Sequence, residues 1–222
     1  MSQEAWAGWL AEAPRAVLPS AIVLLGLVAS NIAHSRGLPH YRSRKVGHLL
    51  AGVAIVLSPV LFTSAFWPLV LSGGFTLLLL ATHPWEVFHG VDRRGRMSAP
   101  LFPLAVFIGF GALWWFDPWV AIVPGLMLAF ADAFTGIVRW RFERREVKGW
   151  SGTLACFVVC LAITIPLVPS FWVALATSVL GTAAERFCGD APGSIIPLDD
   201  NIAMPLTATL TLLGGLYGSR LL

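Results

Sequence analysis

The stretch from residue 130 to residue 156, FADAFTGIVRWRFERREVKGWSGTLAC, places one carboxylate inside an apolar segment that then runs into a dense basic loop. Asp132 stands out, because a charged group at the centre of a membrane costs roughly 2.5 to 3.5 kcal/mol on insertion scales. Such residues usually face a protein interior or a water-filled cavity and have a function there. The stretch therefore predicts a membrane helix that carries part of an active site.

The composition of the whole chain excludes the soluble globular class. Of its 222 residues, 57% are hydrophobic and only 12% are charged, and the mean hydropathy is +0.76. About 20 apolar residues suffice for one helical crossing, so spans and short connectors account for the whole length. We expect one polytopic, all-α integral membrane domain over residues 1–222, with no soluble domain.

Hydropathy predicts about eight transmembrane helices, and a seven-span alternative has one short re-entrant segment. Pro59, Pro124 and Pro166 lie inside these segments and predict kinks or tilts. The predicted spans are residues 15–34, 46–64, 66–83, 100–116, 118–140, 151–168, 170–186 and 202–220.

The distribution of Lys and Arg predicts which loops face the cytoplasm. Thirteen of the 15 basic residues fall in the loops after the first, third, fifth and seventh predicted spans, and the positive-inside rule makes those loops cytoplasmic. We therefore expect an inner membrane protein, or its equivalent, with both termini outside. The basic residues are Arg36, Arg42, Arg44, Lys45, Arg93, Arg94, Arg96, Arg139, Arg141, Arg144, Arg145, Lys148 and Arg186.

Two helix faces on that side carry candidate site residues. His48 lies four residues after Arg44 and three after Lys45, so the three share one face. They form either a phosphate-binding group or a basic helix end that anchors to anionic headgroups. In the fifth span, Asp132, Gly136 and Arg139 follow the same helical spacing and line one face toward the loop. A structural Asp132, paired with an Arg of a neighbouring helix, is the alternative.

Further candidates lie at the starts of the sixth and eighth spans and at the end of the seventh. Lys148, Gly152 and Thr153 have the chemistry of an anion site at a helix N-terminus, although Ser and Gly there can simply cap the helix. Glu185 ends the seventh span. Two adjacent acids and an amide, Asp199, Asp200 and Asn201, suit Mg²⁺, a hard cation that prefers oxygen ligands. Capping of the last helix is the alternative role for these three.

These motifs resemble the membrane-embedded polyprenol, phytol, farnesol and diacylglycerol kinases, a dolichol kinase-like family of which many members use CTP. The resemblance covers residues 44–212, and the last motif points toward the phytol and farnesol kinase branch. Ala131 stands where the family usually has Gly, and Arg139 and Glu143 stand where further glycines would align. The four motifs are Arg44-Lys45-Val46-Gly47-His48, then Ala131-Asp132 with Gly136, then Lys148 with Gly152 and Thr153, then Leu198-Asp199-Asp200-Asn201 with Pro205-Leu206.

The resemblance implies a kinase that transfers the γ-phosphoryl group of CTP, or of another nucleoside triphosphate, to a prenyl-type alcohol with the help of Mg²⁺. The implied motif regions are residues 44–48, 131–153 and 185–206. The expected catalytic residues are Asp132, Lys148 and Glu185; the metal ligands are Asp132, Asp199 and Asp200; and the nucleotide or phosphate ligands are Arg44, Lys45, His48, Gly136, Arg139, Gly152, Thr153 and Asn201.

Two other functions stay open from the sequence. One is cytidylyl transfer to a lipid phosphate, as in the distantly similar phosphatidate cytidylyltransferases, although their long His-Gly-Gly signature is absent. The other is a lipid or proton-coupled transporter in which Asp132 and Glu185 relay protons. The expected partners are the lipid bilayer, the alcohol, the nucleotide and a possible second copy of the chain, with no nucleic acid.

Overall fold

A computed structural model describes residues 3–92, 97–142, 148–189 and 194–221, and this part of the chain is helical with no strands. Five predicted loop arginines, Arg93, Arg94, Arg96, Arg144 and Arg145, and Glu143 lie outside the described residues. The helices are α1 Gln3–Glu12, α2 Val17–Ser35, α3 His40–Leu61, α4 Phe66–Thr82, α5 Ser98–Leu113, α6 Pro118–Phe142, α7 Trp150–Leu167, α8 Phe171–Phe187 and α9 Asp200–Leu221.

The predicted all-α fold with apolar helices of membrane-spanning length is confirmed. Each of the eight predicted spans coincides with one of the helices α2 to α9. Five helical segments are long and apolar enough to cross a membrane, and α5 is a shorter apolar helix. The eight-span arrangement, the seven-span alternative and the sidedness stay predictions. The five long segments are Trp6–Ser35, His40–Leu61, Phe66–Trp85, Pro118–Phe142 and Trp150–Leu167.

Helix α6 is the centre of the bundle. The most apolar window of α6 is 83% buried within the protein, whereas the other four long segments are 22% to 39% buried. Side chains from Val120 to Ala131 form a large part of the hydrophobic core, and α3, α5, α7 and α9 pack around them. The helix that carries Asp132 is therefore enclosed by its neighbours, which is where an ionisable membrane residue is tolerated.

Helix α6 is irregular just before Asp132. Its chain passes through the short segments Pro118–Ala121 and Val123–Leu126 and one π-helical turn, Met127–Ala131, before regular α-helix begins at Asp132. Proline at residue 124 lacks the N–H group that a regular helix requires, which accounts for the first interruption. Single π-helical turns are frequent at functional sites, and the sequence analysis did not predict this one.

Candidate active site

Asp132 is paired with two residues of α3. Its Oδ2 atom lies 2.5 Å from Lys45 Nζ and 3.1 Å from His48 Nδ1, and all three side chains are buried. Lys45 and His48 are three residues apart, so one face of α3 presents both of them to α6. A buried carboxylate requires such partners, because an unpaired charge in the interior costs several kcal/mol.

Gly136 allows α3 and α6 to approach closely beside this pair. A Cβ atom at position 136 would lie 2.6 Å from Tyr41 Oη and 2.9 Å from Lys45 Cε, both closer than carbon contacts allow. A larger residue here would push the ends of the Tyr41 and Lys45 side chains out of their present positions. Tyr41 is not among the predicted site residues, although it precedes Lys45 by four residues and therefore shares its face.

A second ion pair lies about two turns further along α6, seven residues after Asp132. Arg139 Nη2 donates to both carboxylate oxygens of Glu185 in α8, at 2.9 and 3.0 Å. Gly152 at the start of α7 makes room for this arginine, since a Cβ atom there would lie 2.4 Å from Arg139 Nε. Arg139 therefore has a structural partner of its own.

Lys148 joins the starts of α7 and α9 to the end of α8. Its ammonium group donates to the main-chain carbonyls of Glu185 and Cys188 and to Asp200 Oδ2, the last at 3.1 Å. The Lys148 side chain is almost fully buried, whereas that of Asp200 is 25% exposed. We call Lys45, His48, Asp132, Arg139, Lys148, Glu185 and Asp200 the charged cluster.

Three other predicted site residues form hydrogen bonds with main-chain groups. Asp199 Oδ1 accepts a hydrogen bond from the main-chain N–H of Asn201 at 2.9 Å, as an N-cap residue does. The Asn201 amide donates to the carbonyl of Ser98 at 3.0 Å and so ties α9 to α5. Thr153 Oγ1 donates to the Gly149 carbonyl at 3.1 Å, inside the first turn of α7. The capping alternative therefore describes Asp199, and the hydrogen bond of the Thr153 hydroxyl stays within its own helix turn.

Arg44 interacts electrostatically with acids of two helices. Its guanidinium group is attracted to the carboxylates of Asp132 in α6 and of Asp200 and Asp199 at the start of α9. Its Nε atom is buried without a hydrogen-bond partner in the described part of the chain. In the described part of the chain, Tyr41 Oη and the Asn201 amide oxygen are likewise buried and unpartnered. Buried polar atoms are usually satisfied by protein or water, so these groups are free to bind a polar ligand.

The carboxylates suit Mg²⁺ only if substrate phosphates and water supply its other ligands. Within the described ranges, no three His, Cys, Asp or Glu side chains are placed to hold a metal ion by themselves. Magnesium is, however, commonly bound by one or two carboxylates together with substrate phosphates and water. Asp200, which is partly exposed and adjacent to Asp199, fits that mode, whereas Asp132 Oδ2 is already engaged by Lys45 and His48.

An apolar cavity ends at this cluster. It has an empty volume of about 850 Å³, part of it open to the outside, and lies between α2, α3, α4 and α5. Among the described residues that line it, Arg44 and His48 are titratable, and the His48 ring contacts that of Phe102 in the cavity wall at a tilt of 45°, with ring centroids 4.6 Å apart. His48 therefore both lines the cavity and contacts Asp132 directly.

Comparisons with family profiles, with curated proteins and with solved structures yield no match to this chain.

Proposed function

We propose that the chain is an integral-membrane lipid-alcohol kinase that transfers the γ-phosphoryl group of a nucleoside triphosphate, with CTP the expected donor, to a prenyl-type alcohol. The observation that carries this proposal is the apolar cavity whose polar end, at Arg44 and His48, adjoins the charged cluster. A lipid alcohol needs both environments at once. Its tail requires an apolar site, and its hydroxyl group must reach a phosphate-binding region.

In this proposal the basic residues hold the nucleotide. Phosphoryl transfer depends mainly on positioning and on neutralising the charge of the phosphates. Within the described residues, Arg44 has an unpartnered Nε atom, while Lys45 lies beside Asp132 and Lys148 beside Asp200. Mg²⁺ bound by the triphosphate would neutralise phosphate charge, with Asp200 and Asp199 as the protein ligands.

The acceptor hydroxyl group is oriented at the other side of the cluster. His48 contacts Asp132 through Nδ1, which lies 3.1 Å from Asp132 Oδ2, and the His48 ring also lines the apolar cavity. Asp132 thus fixes the imidazole ring, while Lys45 balances the buried carboxylate. This arrangement supports a role for Asp132 and His48 in placing the hydroxyl group for attack on the γ-phosphorus.

The cavity itself supports a kinase over a proton-coupled transporter. Its two serine hydroxyls are satisfied within their own helices: Ser58 donates to the Ala54 carbonyl at 3.2 Å, and Ser72 to the Pro68 carbonyl at 2.6 Å. A proton pathway requires a series of polar groups across the membrane. The cavity instead has its charged groups at one end only.

The test is a transfer assay with the purified chain in lipid, a γ-labelled nucleotide, Mg²⁺ and a panel of prenyl alcohols. We expect a labelled lipid phosphate and a nucleoside diphosphate, and at least about a hundredfold lower rate for Asp132→Asn and Asp200→Asn. Asp117→Asn is the matched control, because Asp117 only caps the start of α6 through Trp119 N–H and Asn caps equally well. Unchanged rates in the two site variants would overturn the proposal, and release of pyrophosphate would indicate cytidylyl transfer instead.

A further inference from the structure

We propose that the apolar cavity binds the tail of the acceptor and selects a hydrocarbon chain with about 12 main-chain carbon atoms, which is three isoprene units. The proposed function supplies only the position of the hydroxyl group, at His48. The length limit itself follows from the dimensions and the chemistry of the cavity wall.

The cavity exists because one face of α3 carries small side chains. Gly47, Ala51, Ala54 and Ser58 all line it, and their spacing of three or four residues places them along one side of the helix. Large side chains at these positions would fill the space between α3 and the facing helices, as in an ordinary close-packed core. The row of small residues therefore leaves an elongated space parallel to α3.

The length of this space can be read from two helices, α3 and α5. Arg44 and Gly47 also line the cavity, but the part of the α3 wall beyond the proposed hydroxyl position runs from His48 to Ser58, ten residues or about 15 Å at 1.5 Å per residue. On α5 the wall runs from Ala99 to Phe110, which by the same rise is about 16 Å. An extended hydrocarbon chain advances about 1.25 Å per bond, given bonds of about 1.5 Å that meet near the tetrahedral angle. About 12 bonds therefore span the wall from the hydroxyl end to the far end.

Packed core residues continue beyond the last α3 residue of the cavity wall. Ser58 is the last α3 residue in the wall, and Phe62, one turn later on the same side, belongs to the hydrophobic core with only 2% of its surface exposed. A longer chain would have to displace this core, which typically costs about 1 to 3 kcal/mol.

The preference must come from fit, because the acceptor reaches the cavity from a membrane. Lipid tails are as apolar as the wall, so additional methylene groups gain little hydrophobic free energy on transfer. A shorter chain leaves part of the cavity empty and loses dispersion contacts, whereas a longer chain meets packed residues. Affinity is therefore expected to pass through a maximum with chain length.

The experiment measures equilibrium binding of prenyl alcohols of two, three and four isoprene units to the purified full-length chain in nanodiscs, without nucleotide. A tritiated three-unit alcohol serves as the competed probe. We expect the three-unit alcohol to bind at least about tenfold more tightly than the four-unit alcohol. In Ser58→Phe the maximum should move to the two-unit alcohol. Val53→Phe, on a more exposed face of α3, is the matched control and should retain the original order.

Equal affinity for all three alcohols, or an unchanged order in Ser58→Phe, would overturn the length limit. Ser58→Leu is a smaller second change, which should weaken binding of the three-unit alcohol in the same direction if the Phe variant does not fold. The two proposals fail separately. Length-selective binding without phosphoryl transfer would contradict the kinase, whereas transfer at equal rates to equally bound alcohols would contradict only the length limit.

Discussion

At the scale of single residues, the Arg139–Glu185 pair joins two helices of the bundle. Arg139 of α6 has a buried carboxylate partner in α8. Gly152 leaves room for its side chain. The pair therefore ties α6 to α8 at the end of the bundle where the charged cluster lies.

We predict that Glu185→Ala destabilises the protein by about 3 to 5 kcal/mol, because it leaves Arg139 buried without its carboxylate. The double variant Arg139→Met with Glu185→Leu should be much closer to the original stability, since no buried charge is left over. Unfolding in mixed micelles with increasing denaturing detergent measures both. Arg36→Ala, at an exposed position, is the control and should change stability by less than about 0.5 kcal/mol. Equal stability of all four proteins would contradict the prediction.

The sequence located the charged residues but not their pairing. Helical spacing correctly grouped Lys45 with His48 on one face and Asp132 with Gly136 on another, because the period of 3.6 residues is a local property. Which acid meets which base depends on helix packing that no local pattern encodes. The contact of Arg139 with Glu185 joins residues 46 positions apart, and Tyr41 gave no chemical signal of its own.

At the scale of helices, the approach of α3 to α6 depends on glycine. A Cβ atom at position 52 would lie 2.8 Å from the Phe130 ring and 2.9 Å from Ala129 Cβ, just before Asp132 along α6. Small residues at such crossings let membrane helices pack closely. Gly52 and Lys45 lie on the same face of α3. The close approach of the helices at Gly52 therefore helps to keep Lys45 within reach of Asp132.

We predict that Gly52→Leu separates α3 from α6, destabilises the chain by about 1 to 3 kcal/mol and lowers transfer activity at least about tenfold. The matched control is Gly74→Leu in α4, where a Cβ atom would meet nothing within 4 Å. Stability in mixed micelles and the transfer rate are measured for both variants. If the two leucine variants behave alike, the close packing of α3 on α6 is not what holds the site.

Helix positions were the most predictable part of the fold. Each predicted span lies within a few residues of an observed helix, since long apolar segments are strong signals in a membrane protein. The π-helical turn at residues 127–131 was missed, because its residues Met-Leu-Ala-Phe-Ala are ordinary helix formers. Its geometry depends on the crowded position of α6 among its neighbours.

At the scale of the whole molecule, the bundle sorts its charges to one end. The charged cluster lies where α3 and α9 begin and where α6 and α8 end, which requires these helices to alternate in direction. Nucleotides are soluble and alcohols with prenyl tails are not, so a site at one end of the bundle is where the two proposed substrates would meet at a single membrane surface.

Labelling of introduced cysteines can test this orientation without removal of the native cysteines. The three native cysteines, Cys156, Cys160 and Cys188, are all buried, and buried thiols react slowly because little thiolate forms in apolar surroundings. Introduced cysteines at exposed positions should therefore give a clear signal above the native background.

We predict that a membrane-impermeant maleimide added to intact cells labels Trp115→Cys and Trp172→Cys but not Arg36→Cys or Trp150→Cys. All four positions are exposed on the protein surface, and the positive-inside rule places the last two on the cytoplasmic side. Inside-out vesicles should give the reverse pattern, which controls for reactivity at each position. Labelling of Arg36→Cys and Trp115→Cys from the same side would contradict the alternating arrangement. It would also remove the charged cluster from the cytoplasmic surface, where the nucleotide is available.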